Sequence, residues 1–132
     1  MIRNLAFYLG AGALFTHELD AMTNHEWRVL PLTAWLPEEI GRTAFVALHV
    51  PLFAALIALL ASRDERVRRR SMFALGAFLV VHAGLHAAFS GHPHHEFSSA
   101  LSLALIYGGA LCGVVHLVSE LYGGASARDF PT

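Results

Sequence analysis

The chain has no lysine: all nine of its basic side chains are arginine, set against ten acidic ones for a formal net charge of −1. That leaves no diffuse basic surface of the kind that grips a phosphate backbone, and nucleic acid is excluded as a partner. The one cysteine, Cys112, lies inside an apolar run, which rules out an intramolecular disulfide framework and a CxxC metal knuckle. Charged residues make up only 14% of the 132 positions, and a polar stripe at helical spacing is almost wholly missing outside the histidines. A soluble bundle of amphipathic helices is therefore excluded as well. No internal repeat, linker or low-complexity tract interrupts the chain.

What remains is hydrophobic: 55% of the residues, with a mean hydropathy of +0.51. Such a composition predicts one all-α integral membrane domain over residues 1–122, with a loose, flexible tail over 123–132. Apolar segments from Leu5 to Met22, Thr43 to Ala61, Met72 to Phe89 and Ala100 to Val118 each approach the ~20 residues that cross a bilayer, which gives a four-helix transmembrane bundle. Arg3 followed by Leu5–Phe15 has the outline of a signal peptide, but Thr16–Asp20 makes a poor cleavage site, so this segment is read as the first span. The segment Ser62–Arg70 carries five of the nine arginines. By the positive-inside rule it is cytoplasmic, as are both termini, and the loops Thr23–Arg42 and Gly91–Phe97 face outward. Trp27 and Trp35 suit the interfacial aromatic belt. Pro37-Glu38-Glu39 has the form of a helix start. Gly109 and Gly113 form a GxxxG match that points to internal packing.

The nine histidines then separate by depth. With a rise of ~1.5 Å per residue, His17 lies ~18 Å beyond Leu5, His49 ~9 Å below the outer boundary, and His82 and His86 ~15 and ~21 Å up from Met72. Three helices thus bring imidazoles to one outer layer. His82 and His86, four apart, share a helix face and can chelate one ion, and His17 and Asp20 are neighbours on another. Pro51 frees the carbonyl of Ala47 and favours a kink that opens a polar cavity near His49. In the third loop His92, His94, His95 and Glu96 form a lid over this layer, and the first loop offers His25 and Glu26. His116 sits ~28 Å from Phe97, at the cytoplasmic end, where Glu120 one turn on is its expected partner.

The strings His17-Glu18-Leu19-Asp20-Ala21, Glu26-Trp27-Arg28, His49-Val50-Pro51-Leu52-Phe53 and His82-Ala83-Gly84-Leu85-His86, with Phe89 and His92-Pro93, carry a resemblance across nearly the whole chain. The chain resembles a family of small bacterial four-helix membrane proteins of unknown function. That resemblance implies a multi-pass protein of the bacterial inner (cell) membrane, with its site on the periplasmic side, and candidate positions without a reaction. A looser likeness to membrane di-iron hydroxylases and desaturases is chemical only: His82 and His86 fit HxxxH, but His92-Pro93-His94-His95 falls one residue short of HxxHH and no third box follows.

Buried ionisable groups need a partner, a proton or a metal. The leading expectation is a metal site of His17, Asp20, His49, His82 and His86, with His92 and His95 adding ligands from the lid. Imidazole and carboxylate donors without thiolate suit zinc or non-haem iron. An open position on the ion would serve a small or lipophilic substrate reached from the bilayer, with Glu18 or Glu26 as general base and Arg28 as anion clamp or ion-pair partner. A b-type haem held by two histidines such as His49 and His82 is the electron-transfer alternative. A proton relay through Glu18, Asp20 and the histidines, or a structural subunit whose polar groups bond one another, are the others. An oligomer or a larger membrane complex is compatible with each.

Overall fold

In the computed structural model, residues 2–126 are described, with side chains from 2 to 122. Four helices follow one another with no strand among the described residues: α1 (Ile2–Thr23), α2 (Glu38–Leu60), α3 (Glu65–Phe89) and α4 (Ala100–Ser126), with one 3₁₀ turn at Glu26–Arg28. Of the tail expected over 123–132, residues 123–126 continue α4. Its remaining residues, 127–132, lie outside the described ones.

Three helices, α2, α3 and the Ala100–Tyr122 part of α4, are long and apolar enough to cross a membrane. Only 6% of the most apolar window of α2 is buried by the rest of the protein, so lipid is the solvent that such a surface requires. α1 has the length, with 22 residues, but His17, Glu18 and Asp20 dilute its apolar character near the C-terminal end. The groups that weaken it as a span are those of the site.

α3 starts at Glu65 and not at Met72, so most of the basic segment is helix instead of loop. Asp64 explains the difference: its carboxylate accepts from the backbone N–H groups of Arg66 at 2.8 Å and Val67 at 3.3 Å, a side-chain cap that satisfies donors otherwise orphaned at a helix start. α2 begins directly after Pro37, with Glu38 and Glu39 in its first turn as the sequence implied, and runs unbroken through Pro51. Ser99 precedes α4 and receives the Ser102 N–H at 3.0 Å.

α4 packs along both α1 and α3, while α2 leans on α3 and the 3₁₀ turn and buries only Gly41 and Phe45. The interior divides into two apolar layers. Phe7, Ala11, Leu14, Leu75 and Leu79 fill the end near the N-terminus of α1. Ala21, Trp27, Phe45, Ala83, Phe97 and Ile106 fill the other. Trp27 is therefore core and not interfacial belt, only 3% exposed, and its indole N–H is satisfied by Glu38 at 3.1 Å; Trp35 is 75% exposed.

The GxxxG pair serves internal packing. A Cβ on Gly113 would lie 2.6 Å from the backbone carbonyl of Gly76 on α3, whereas one on Gly109 would meet Ala13 of α1 at 3.5 Å. Gly113→Ala must push α3 and α4 apart and is expected to cost on the order of 1–3 kcal/mol. Gly12→Ala, whose Cβ meets nothing within 4 Å, should be close to neutral. Thermal unfolding of the two variants in detergent checks this, and equal midpoints would contradict the close approach.

Candidate metal centre

Near its C-terminal end α1 presents His17, only 1% exposed, toward α3. Its ring lies 4.8 Å from that of His82 and 4.9 Å from that of His86, both edge-on. On α3 the i,i+4 spacing does what it predicts: the Nε2 atoms of His82 and His86 face one another at 3.2 Å.

The fourth member comes from the turn after α1. His25 adopts a left-handed backbone, φ 51°, and the chain reverses there, carrying Glu26 back beneath the helices to a position 7% exposed. The Glu26 carboxylate reaches His17 Nε2 at 3.8 Å and His86 Nε2 at 3.6 Å. One donor atom from each of His17, Glu26, His82 and His86 falls within 4.8 Å of all the others.

Two observations test whether a metal fits. Donors bound at about 2.0–2.1 Å in a tetrahedron stand about 3.3–3.5 Å apart; three of the separations here, 3.2, 3.6 and 3.8 Å, are near that spacing, and all lie within 4.8 Å. Moreover, neither ring nitrogen of His17 has a hydrogen-bond partner among the described residues, although both are buried. A neutral imidazole has one N–H and one lone pair, and burying both unanswered is costly. A coordinated ion would take the lone pair. Burial, reinforced by the nearby Glu18 and Asp20 carboxylates, pushes Glu26 up to about 8, which is the cost a cation would relieve.

The other expected residues are distributed around this group. Asp20, three residues after His17, has a buried Oδ2 without a partner among the described residues, but it is not one of the four. His49 stands apart: Nδ1 donates to the Phe45 carbonyl at 2.7 Å and Nε2 faces Glu18 at 2.8 Å. Since the carbonyl can only accept, one proton must lie between Nε2 and the carboxylate, and the pair is neutral overall. His95 is near, its ring 5.8 Å from that of His86, with a buried Nε2 also unpartnered among the described residues. His92 instead pairs with exposed His94, rings 5.7 Å apart.

The cover over the histidines is Phe97, 3% exposed, whose ring lies 4.6 Å from His86 and 5.3 Å from His17. Sequence reasoning missed it, because one phenylalanine beside a histidine-rich loop carries no periodic signal. Arg28 lies outside the cluster and ties the two outer loops together, bonding Glu38 through Nε at 3.0 Å and Nη2 at 2.8 Å and approaching Glu96 at 3.8 Å. His25 adds a second tie to Glu96 at 2.9 Å.

His116 corrects one expectation. Glu120 does not pair with it but with Arg3 at 3.1 Å and Arg69 at 2.8 Å, since two guanidinium groups satisfy a buried carboxylate better than one imidazole. His116 faces the backbone carbonyl of Arg3 at 3.3 Å.

The model of the family of unknown function DUF6713 matches residues 3–122. The chain belongs to that family. No curated protein and no solved structure matches it. Membership of DUF6713 spans all four helices and the whole histidine layer, and agrees with the resemblance to an uncharacterised family drawn from the motifs.

Proposed function

We propose that this chain is an integral membrane metal-binding protein holding one divalent transition-metal ion, zinc or non-haem iron, on His17, Glu26, His82 and His86. The convergence of those four donors around the buried, unpartnered imidazole of His17 carries the reading. Three imidazoles and a carboxylate without a thiolate are the donor set of zinc and iron, not of soft metals. Zinc held by all four would be coordinatively saturated and structural, while iron, which accepts more ligands, would keep positions for chemistry.

A cavity of about 260 Å³ opens on the centre, its lining including Glu26, His82, His86 and His95 together with the apolar Leu85 and Phe89. Its mostly apolar wall suits a small or lipophilic substrate entering from the bilayer. In a catalytic version, the Glu18–His49 pair would exchange a proton, Glu26 would bind the ion in place of acting as general base, and Arg28 would fix the loops. By the positive-inside reading this end faces the periplasm. The haem alternative of His49 with His82 draws no support from the arrangement, because both ring nitrogens of His49 are engaged, by Phe45 and Glu18.

Elemental analysis of protein purified without an affinity tag or added metal is the direct test. One equivalent of zinc or iron, with no Soret band, is the expected result. Far less than one equivalent of any transition metal overturns the reading.

A further inference from the structure

The end of the bundle opposite the histidines holds a second feature, independent of the metal centre. There the first turns of α3 and the end of α4 enclose an open cavity of about 640 Å³, lined by Glu65, Arg66, Arg69, Arg70, Phe73 and Glu120, with Leu121 at its edge. Both carboxylates in this lining are already taken. Glu65 pairs with Arg68, and Glu120 is held by Arg3 and Arg69. Arg66 and Arg70 are left without an acidic partner among the described residues. Four apart, they share one face of α3, and both border the cavity. The nearby N-terminus of α3 adds its own positive field.

The apolar part of the lining says which anion fits. Phe73, one turn farther along α3 than Arg70, is 41% exposed, and Leu121 is 62% exposed. A free inorganic anion would leave both uncovered. A molecule with a negative head and a hydrocarbon tail satisfies both halves, the head on the guanidinium groups at the interface and the tail running along Phe73 and Leu121 into the bilayer. We propose that this cavity is a binding site for the headgroup of an anionic phospholipid, with Arg66 and Arg70 as its phosphate ligands. The arginine-rich end is the one that the positive-inside rule assigns to the cytoplasmic leaflet, where basic pockets between helices meet anionic lipids.

Native mass spectrometry of the full chain in detergent tests this, titrating dioctanoyl phosphatidylglycerol, dioctanoyl phosphatidylcholine and inorganic phosphate separately. One phosphatidylglycerol should be retained per chain, with neither of the others retained comparably. The Arg66→Ala/Arg70→Ala double variant should raise the Kd for phosphatidylglycerol about tenfold or more, the order expected for losing two interfacial arginines. Arg63→Ala, an exposed arginine outside the cavity, should leave it unchanged. Phe73→Ala keeps the arginines and should still weaken phosphatidylglycerol by about threefold, reporting on the tail contact if the double variant does not fold. Equal retention of phosphatidylcholine or inorganic phosphate, a double variant within twofold of the parent, or an equal loss in Arg63→Ala overturns the proposal.

Discussion

His86→Ala is expected to leave purified protein with less than about a tenth of the parent's metal, and His17→Ala to do the same, while His49→Ala and His92→Ala keep it nearly whole. The asymmetry follows from where each ring nitrogen points. His86 Nε2 is 3.2 Å from His82 Nε2 and 3.6 Å from Glu26, so its loss removes a corner shared by two other donors. His17 supplies the nitrogens that nothing else among the described residues satisfies. Both nitrogens of His49 are committed, to Phe45 and Glu18. Metal stoichiometry by mass spectrometry, with circular dichroism confirming that each variant stays helical, separates the two pairs. If His49→Ala strips the metal as His86→Ala does, the four-donor centre is the wrong one; if a folded His86→Ala retains it, there is no such centre.

The sequence showed the depth of the histidines because depth is arithmetic on a helix. A rise per residue and an apolar boundary suffice to bring His17, His82 and His86 to one layer, and the structure brings their rings within 5 Å of one another. Depth says nothing about azimuth between helices, and that is why His49, counted to the same layer, pairs with Glu18 on the flank instead of joining the cluster. Glu26 was singled out as a general base and not as a ligand, for another reason: it rides on a turn, and its inward path depends on the left-handed conformation of His25, which a residue other than glycine adopts only when its surroundings hold it there. The start of α3 illustrates a third limit. Arginine-rich segments read as loop by charge, yet one cap, Asp64, turns this one into helix. The salt bridges of Glu120 join three helices, α1, α3 and α4, and no local spacing could have disclosed them.

Glu26→Gln should have opposite effects on the metal-free and metal-loaded protein. Glu26 belongs to the connecting turn, and burial together with the neighbouring Glu18 and Asp20 carboxylates raises it from 4.5 to about 8. Between those two values the folded chain keeps a proton that the unfolded chain has released, so the metal-free protein loses stability as pH rises from about 4.5 toward 8. Glutamine is a neutral mimic of the protonated acid and removes that slope. At pH 8 the metal-free variant should therefore be more stable than the metal-free parent, by on the order of 1–3 kcal/mol, and near pH 5 the two should be nearly equal. Metal binding reverses the order, because the ion takes the carboxylate and expels its proton. Apparent affinity in the parent should rise by up to about tenfold per pH unit below 8, and the variant, lacking the anionic ligand, should bind at least about a hundredfold more weakly. Thermal midpoints of both proteins at pH 5 and pH 8, with and without a chelator, give all four quantities. If Glu26 only fills space in a structural turn, the two proteins will show parallel pH profiles and equal metal content; crossing profiles require a carboxylate that trades a proton for a cation.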